Sequence, residues 1–466
     1  MKELRDIKES IERRTSESVE TKYDLVLPGL TEDVVREISK IKNEPDWMLD
    51  IRLKSLEIFQ KSRDPRFGPS IDEIDYDKVL AYAKPGAKKS MNWDEVPQEI
   101  KEAFDRLGIP EAERKVLAGV EAQFDSEVIY SHVKKMLSKL GVIFTDMESA
   151  VKEYPEIVKK HFLKLIPPND HKFAALHGAL WSGGSFLYVP KGVEVPLPLQ
   201  SFFMVNAPSV GQFEHTIIIL EEGAKATYIE GCTAPKYGVH NLHAGVVEVY
   251  VGKNAHLKYI TIQNWSKSVF NMESKRAVVE EGGVMEWISA SFGSYKSMVY
   301  PSVVLRGNNS SSNVLSITLV GKDQHIDSGT KVYHIGAGTK STVVSKGISM
   351  GGGWSTFRAL VRISKGAKNS RSTVECDSIM LDDESRSDTI PVIEVQEPSA
   401  DFGHEARVGR ISDEEIFYLM SRGFTEFEAK ALIIRGIMEP VIEELPLEYT
   451  VELNRLISME LESSLG

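Results

Sequence analysis

The chain has 466 residues, with 56 basic and 68 acidic side chains, so its formal net charge is −12. A hydrophobic fraction of 42% and a charged fraction of 27% are typical of a globular protein and exclude a disordered one. The acidic balance argues against nucleic acid and anionic membrane as main partners, and no apolar run is long enough to cross a membrane.

Roughly the first 165 residues carry helical patterns. Thr31 is a candidate N-cap for a first helix, and Pro45 separates it from a second helix with an apolar stripe over residues 47–59. A polar, loop-rich stretch should follow, and further helices are expected over residues 111–140 and 147–165.

Short segments of alternating or β-branched residues dominate from about Gly178 to Ile393, which is typical of strands. The predicted strands are His215–Leu220, Val246–Val251, Leu257–Ile262, Ala277–Val279, Val303–Leu305 and Ser316–Val320. Glycines in the turns between them recur about every 25–30 residues, at Gly223, Gly252, Gly282, Gly307, Gly336 and Gly366. This recurrence favours a right-handed β-helix or related solenoid, with a β-sandwich as the alternative.

The last part of the chain returns to helix. Ser412 with Glu415 and Thr425 with Glu428 form two capping boxes, and apolar residues follow each of them. Helices this apolar either pack on their own chain or dock a partner. The chain has no G-x-x-x-x-G-K-[ST] phosphate loop, so we do not expect it to hydrolyse ATP unaided.

Only two cysteines occur, Cys232 and Cys376, so a disulfide scaffold is excluded. The first 20 residues contain no apolar segment of a secretory signal. These two features predict a reducing compartment, and we expect a cytoplasmic location.

Cys376 lies in a predicted strand, where alternation puts it on the face opposite Glu375 and Asp377. A free cysteine in such a place is most often a small buried hydrophobe. His404 and Glu405, about one repeat later, could complete an iron site, although as a pair they also suit a plain surface position.

Cys232 lies at a strand end, and two histidines follow it three residues apart, at His240 and His243. In an extended segment that spacing puts the two imidazoles on opposite faces, so a joint metal site is not expected. Trp265, beside Gln263, is interpreted on residue type alone as core packing.

Many collinear segments together resemble the SufB/SufD family of the SUF iron–sulfur cluster assembly system. They include Lys42-Asn-Glu-Pro-Asp-Trp-Met-Leu, Gly184-Ser-Phe-Leu-Tyr-Val-Pro, Gly211-Gln-Phe-Glu, Ile229-Glu-Gly-Cys-Thr-Ala-Pro, Gln263-Asn-Trp, Ser345-Lys-Gly-Ile-Ser, Cys376-Asp-Ser, His404-Glu-Ala and Glu444-Leu-Pro-Leu-Glu. The resemblance implies a mainly β fold, with a right-handed parallel β-helix flanked by helical domains. We therefore expect an N-terminal helical region over 1–168, a β-helix core over 169–403, and a C-terminal helical domain over 404–466.

The resemblance also implies the function of a scaffold and not of an enzyme. Such chains accept sulfane sulfur from a cysteine desulfurase with its sulfur shuttle and assemble a transient iron–sulfur cluster, [4Fe-4S] or [2Fe-2S]. They pass the cluster to apo acceptor proteins, and a reduced flavin can take part. The expected complex contains SufC, an ABC-type ATPase bound through the C-terminal helices, and either SufD or a second copy.

The same resemblance assigns site residues. Cys376 is the cluster or persulfide cysteine, with Glu405 and His404 as its partners. Cys232 receives sulfur, and the path through the solenoid involves Asn206, Gln263, Trp265 and Lys275.

Two positions depart from the family pattern. Met204 stands where many relatives have arginine. A thioether carries no positive charge, so the role of the cation that stabilises a persulfide on the path shifts to Lys275. Gly403 stands where some relatives have a carboxylate. The competing interpretations are a SufD-like structural subunit, or a solenoid enzyme such as a carbohydrate lyase or hydrolase.

Overall fold

Parallel strands of this chain wind into a β-solenoid of about eight turns, with helices before and after it. The computed structural model describes residues 22–87, 89–90, 92–98, 101, 119–133, 135–235 and 239–443. The predicted solenoid class is therefore confirmed, and the β-sandwich alternative is not adopted. Within the described residues, no helix is long and apolar enough to cross a membrane.

The helices lie at the two ends of the chain. They are α1 Glu32–Ile41, α2 Asp46–Lys61, α3 Lys135–Lys139, α4 Met147–Glu153, α5 Pro155–His161, α6 Lys172–Leu180, α7 Asp413–Ser421 and α8 Glu426–Ile442. The predicted caps are confirmed: Thr31 accepts the Val34 amide (3.3 Å), and Thr425 and Glu428 cap each other's backbone amides reciprocally. Helix α6 was not predicted, because its residues are buried on all sides and lack an amphipathic pattern.

The strands before the regular solenoid are β1 Tyr23–Pro28, β2 Leu80–Pro85, β3 Gly119–Phe124, β4 Glu127–Val133 and β5 Ile143–Asp146. Next come β6 Ser185–Val189, β7 Leu199–Met204, β8 Gly211–Gln212, β9 His215–Leu220, β10 Lys225–Thr233, β11 Asn241–His243, β12 Val246–Val251, β13 His256–Trp265, β14 Val269–Asn271, β15 Ser274–Val279 and β16 Val284–Gly293. The last are β17 Lys296–Val299, β18 Ser302–Leu305, β19 Ser311–Val320, β20 His325–His334, β21 Lys340–Ser349, β22 Trp354–Ile363, β23 Arg371–Met380, β24 Arg386–Val395 and β25 Asp401–Arg410. Each of the six predicted strands coincides with one of these or lies inside it.

The helix expected over residues 111–140 is wrong for residues 119–133, which form the hairpin β3–β4. Val120, Ala122 and Phe124 are buried, and Asp125 makes the turn with a positive φ of 51°. Strand β3 pairs in parallel with β7, so this hairpin starts one sheet of the solenoid. Sheet pairing therefore overrides the local helical pattern. Residues 111–118 of that expectation, and the segment from Glu444 to Glu448, lie outside the described residues.

Two sheets form the walls of the solenoid. We call the stack β7, β10, β13, β16, β19, β21, β23 and β25 the front sheet, and the stack β6, β9, β12, β15, β18, β20, β22 and β24 the back sheet. Register partners on neighbouring coils are 26 to 32 positions apart, as in Arg276 with Ser302 and Trp354 with Arg386. This spacing is the repeat that the glycine pattern predicts.

The repeat is visible in the backbone of one turn on each coil. Two residues before successive front-sheet strands, a residue with positive φ recurs at Gly223, Asn254, Gly282, Asn309, Gly338 and Asn369. Glycine and asparagine tolerate this left-handed conformation better than other residues. Gly307 serves close packing instead, because an added Cβ would lie 1.9 Å from the Glu281 nitrogen of the coil before it.

Apolar residues cover both faces of the front sheet. Tyr228, Tyr259, Trp287 and Val343 face the interior and pack in one cluster with residues of the back sheet. The outer face carries a second cluster that includes Ile260, Ile317 and Ile348, and α8 packs on it through Ala431, Ile434 and Met438. The C-terminal helices therefore pack partly on their own chain.

Candidate functional site

Cys376 lies on β23 with its side chain in the interior cluster, and only 1% of the residue is exposed. Its neighbours in register are Ser345 on the previous coil and Ala406 on the next. Burial, reinforced by Asp377 and Glu375, raises the pKa of the Cys376 thiol to about 12. In this chain alone the group is therefore a neutral thiol, and it needs a cation or a metal to ionise.

The outer face of the same strand carries a charged group. Glu375 and Asp377 project away from the interior, as the alternation predicts, and Lys346 on β21 forms ion pairs with both. The Lys346 ammonium is 3.2 Å from the Glu375 carboxylate. These acids therefore already have a cation on their side of the sheet.

Strand β25 brings His404 and Glu405 next to β23, but on different faces. Glu405 is in register with Glu375, and His404 is in register with Val374. By alternation, His404 shares the face of Cys376, whereas Glu405 lies on the opposite, outer face. Glu405 is mostly exposed, and Arg407 donates to it from Nε at 3.0 Å.

A complete metal site does not form within the part of the chain that the structure describes. No group of three His, Cys, Asp or Glu side chains in those residues is arranged to hold a metal ion. Iron bound at Cys376 would therefore need ligands from sulfide, from His404, or from a second chain.

Cys232 lies on β10 and also faces the interior, with 2% of the residue exposed. It is in register with Phe203 and Gln263, and it packs in one small apolar cluster with Phe203 and Trp265. Burial raises the pKa of the Cys232 thiol well above its ordinary value, and Glu230 and Glu273 act in the same direction. Lys275 is the cation that opposes this rise.

Lys275 is the centre of a buried ionic group beside Cys232. Its ammonium donates to Glu230 Oε1 at 2.7 Å and lies 3.0 Å from Glu273 Oε1. Tyr259 and Thr261 also donate to Glu230, at 2.5 and 3.2 Å. Burial would lower the pKa of Lys275, but the two carboxylates outweigh it and raise that pKa, so the lysine stays charged.

A chain of hydrogen bonds extends this group to a buried histidine. Gln263 donates to Glu273 (2.5 Å) and accepts from Asn271 (2.8 Å), and Asn271 Oδ1 lies 2.7 Å from His243 Nδ1. His243 also pairs with Glu214 through Nε2. Burial would lower the pKa of His243, but Glu214 outweighs it and raises that pKa to about 9.

Glu214, His243 and Glu273 belong to this buried group, although neither the residue pattern nor the family resemblance assigned them to the site. Burial raises the pKa of Glu273 to about 7, even though Lys275 lowers it. The two histidines lie in different surroundings: His243 is buried, whereas His240 is exposed and stacks on Tyr295. Trp265 lies against the His243 ring, with 4.6 Å between ring centroids.

Met204 and Asn206 lie near the end of β7. Met204 is buried in the apolar cluster on the outer face of the front sheet, opposite the face that carries Cys232. Asn206 is buried beside Asp125, whose carboxylate accepts its backbone amide at 2.6 Å. Among the described residues, the groups hydrogen-bonded or ion-paired to Lys275 are the carboxylates of Glu230 and Glu273, and its ammonium acts on Cys232.

Mostly polar residues occupy the two register rows, one residue from each successive strand of the front sheet, that start at the two cysteines. The row in register with Cys376 contains Ser345, Ser316, Ser289, Thr261 and Glu230, and the row in register with Cys232 contains Gln263, Ser291, Thr318, Gly347 and Ser378. All of these positions face the interior by alternation. Five strand spacings of about 4.8 Å put the two cysteines about 24 Å apart along the stack.

Several residues of these rows are only partly buried. Ser289, Ser291, Ser316 and Gly347 keep partial exposure although they face the interior by alternation. The rows between the two cysteines are therefore mostly polar and only partly buried.

Two surfaces of the described part of the chain expose apolar side chains. On α7 and the turn after it, Phe417 is 72% exposed, and Tyr418, Met420 and Phe424 are also exposed. At the last coil, Ile390, Val392 and Val395 of β24 are exposed, and in the described part of the chain β24 pairs only with β22 and β25 only with β23. Such unpaired edges can add further strands.

Comparison with known families covers almost the whole chain. Residues 203–437 match the profile described as "SUF system FeS cluster assembly, SufBD core domain", and residues 35–201 match the "SufBD protein N-terminal region". These two matches include every site residue discussed above.

Similar full-length proteins carry the same assignment. The chain is 50% identical over 438 residues to the iron–sulfur cluster assembly protein SufB of Bacillus subtilis, covering 94% of each chain. It is 51% identical, with the same coverage, to an iron–sulfur cluster assembly SufBD family protein of Staphylococcus aureus.

Proposed function

Since the chain belongs to the SufBD family of iron–sulfur cluster assembly proteins, we propose that it is the scaffold on which sulfur and iron combine. Sulfur arrives at Cys232, and the cluster forms at Cys376. The observation that carries the proposal is that both thiols lie on the inward face of the front sheet, connected by register rows of mostly polar residues, with Lys275 acting on the first of them.

Sulfur arrives as the outer atom of a persulfide on a cysteine desulfurase or its shuttle. The Cys232 thiolate attacks that atom, the donor's S–S bond breaks, and the donor leaves as a thiolate. The exchange is redox-neutral and leaves a persulfide on Cys232. Lys275 supports it because its ammonium opposes the rise in the pKa of Cys232.

The separation of the two cysteines determines the next step. Direct exchange would need the two sulfurs in contact, and about 24 Å separates them. We therefore propose that a two-electron donor, for which a reduced flavin is the candidate, cleaves the S–S bond of the Cys232 persulfide. Cys232 is regenerated as a thiol, and hydrosulfide passes along the rows of hydroxyl groups to Cys376.

At Cys376 the thiolate binds iron, and the hydrosulfide supplies the bridging sulfide of a [2Fe-2S] or [4Fe-4S] cluster, which is the product and not a resident cofactor. His404 is on the right face to add a second ligand. Glu405 is on the outer face, so in this proposal it acts at the edge of the last coil, where a second chain adjoins. An incompletely ligated cluster is easily passed on to apo acceptor proteins.

The proposed partners use the two surfaces that expose apolar side chains. The exposed aromatic residues of α7 dock an ABC-type ATPase of the SufC kind, and the free edges of β24 and β25 pair with SufD or with a second copy of this chain. The division into domains 1–168, 169–403 and 404–466 belongs to the same proposal. Strand β25 ends at Arg410, after the second of these boundaries.

Anaerobic reconstitution with ferrous iron and free sulfide tests the cluster site. Visible absorption of a sulfide–iron chromophore should develop in the wild-type chain and be lost in Cys376→Ala. Cys232→Ala is the matched control and should develop it normally, because free sulfide bypasses Cys232. A full chromophore in Cys376→Ala would contradict the assignment.

A further inference from the structure

A cavity of about 400 Å³ lies against the back sheet, and its lining includes Glu273 and Lys275 of the buried group beside Cys232. Its floor is formed by β15, β18 and β20. Residues from 63–67 and 166–173 close over it. Its volume falls in the range typical of small-molecule sites.

One row across the floor carries positive charge. Arg276, Ser302 and Lys331 are in register on three successive coils, and all three face outward. Arg276 is fixed by Asp170, at 2.9 Å, and by the Leu165 carbonyl, at 2.6 Å. Asp170 therefore compensates the charge of Arg276.

Lys331, in contrast, forms no ion pair with the described residues. No carboxylate of the described residues lies within ion-pair distance of its ammonium, which sits 5.5 Å from the centroid of the Tyr300 ring. Burial, and then Arg276, lowers the pKa of Lys331, and Asp170 opposes this only in part. Arg63 is an exposed second cation at the rim, also without an ion pair among the described residues.

The other titratable groups of the cavity are already satisfied. Lys172 is paired with Asp64 at 2.8 Å, and burial lowers the pKa of His171 to about 4, so that imidazole is neutral. The Glu273 carboxylate is bound by Gln263 and Lys275. Lys331 and Arg63 therefore remain as two cations without an ion pair among the described residues.

The remaining walls are aromatic and apolar. Tyr300 and Tyr333 line the cavity from the sheet, Phe67 adjoins Tyr300 with 6.0 Å between ring centroids, and Met298 lies beside them. Flat aromatic surfaces beside two cations suit a ligand that combines a planar ring with an anionic group.

We propose that this cavity binds a phosphate-bearing aromatic metabolite of mononucleotide size, with the phosphate on Lys331 and Arg63 and the ring against Tyr300 and Tyr333. A phosphate monoester carries up to two negative charges near neutral pH, which matches the two positive charges of Lys331 and Arg63. Neither cysteine lines the cavity, although Lys275 and Glu273 do. The proposal rests on Lys331 and Arg63 and not on the proposed sulfur path.

Isothermal titration calorimetry of the full chain with adenosine monophosphate, and separately with inorganic phosphate, tests the proposal. Adenosine monophosphate should bind saturably and more tightly than inorganic phosphate. Lys331→Gln should weaken its binding at least about tenfold, which corresponds to about 1.4 kcal/mol. Lys340→Gln, an exposed lysine on the outer face of the front sheet, is the matched control and should bind as the wild type does.

Arg63→Gln is a second variant at an exposed position, so its fold should not be at risk, and it should also weaken binding. Thermal unfolding midpoints of all variants verify that the fold is intact. Absence of saturable binding of adenosine monophosphate to the wild type, or equal affinity in Lys331→Gln, would overturn the proposal. Equal affinity for inorganic phosphate would overturn the part of it that assigns the ring to the tyrosines.

Discussion

Cys376 and Glu405 lie on adjacent strands but point to opposite faces of the front sheet, because Glu405 is in register with Glu375 and not with Cys376. His404, in register with Val374, shares the face of the thiol. Within a single chain, the face of Cys376 therefore carries the imidazole of His404 and not the carboxylate of Glu405, which lies on the outer face of the sheet.

This geometry predicts different results for two neighbouring substitutions. In the isolated chain, His404→Gln should lower the yield of chromophore after reconstitution with iron and sulfide, because it removes a ligand on the Cys376 face. Glu405→Gln should leave that yield within about a fifth of the wild type. Visible absorption per chain measures both, and a larger loss in Glu405→Gln than in His404→Gln would contradict the assignment of faces.

Lys275 should be important for stability because two buried carboxylates depend on it. Lys275→Met leaves Glu230 and Glu273 buried without their cation, and we expect a loss of about 3–5 kcal/mol in the free energy of unfolding. Lys253→Met is the control, since its pair with Glu281 is about half exposed, and it should change stability by less than about 1 kcal/mol. Urea unfolding at neutral pH compares them, and equal losses would rule out the buried ion pair.

His243 predicts a definite dependence of stability on pH. Its folded pKa of about 9 is above the ordinary value of 6.5, so its contribution is fully present below about pH 6.5 and is lost as the pH rises through 9. The difference between these values corresponds to about 3 kcal/mol.

The double variant His243→Gln, Glu214→Gln removes both charges of this pair. Between pH 6.5 and 9, its free energy of unfolding should therefore fall less steeply than that of the wild type. Denaturant unfolding at several pH values measures the two slopes. Identical slopes would mean that His243 is not held charged in the folded protein.

Residues of the C-terminal helices should separate into two classes. Phe417→Ala removes an exposed side chain, so it should weaken association with the ATPase subunit at least tenfold and leave stability within about 0.5 kcal/mol. Ile434→Ala, which is buried against the front sheet, should instead cost about 2 kcal/mol or more of stability.

Surface plasmon resonance with the ATPase subunit, together with thermal unfolding, distinguishes the two classes. Deleting all residues after Ser412 is a poorer test, because it would also uncover Ile317 and Ile348 on the sheet. Unchanged affinity of Phe417→Ala for the ATPase would refute docking through α7.

The solenoid could be predicted from the sequence because its signals are local. Strands such as His215–Leu220 are continuous β-branched runs, and the turn residues recur with each coil. The hairpin β3–β4 could not be predicted in this way. The short apolar segments of this hairpin fit a helix equally well. Their structure is decided by the pairing of β3 with β7, which lies about 80 positions further along the chain.

The buried group beside Cys232 was only partly predictable. Lys275, Gln263 and Trp265 were identified through the family resemblance, but Glu214 and His243 were not. These two are separated by 29 residues and meet because that distance is one coil. One sequence signal could have revealed this pair once the register was known. It is the presence of two ionisable residues, one repeat apart, at positions that face the interior.

The most direct test of the proposed function compares two sulfur sources in the same cluster assay. One source is free sulfide, and the other is a cysteine desulfurase with its substrate cysteine and a two-electron reductant, both with ferrous iron under anaerobic conditions. Cys232→Ala should form the cluster normally from free sulfide and lose most of it with the desulfurase, whereas Cys376→Ala should fail with both. Equal cluster formation by Cys232→Ala from the two sources would contradict the claim that sulfur enters at Cys232 and is used at Cys376.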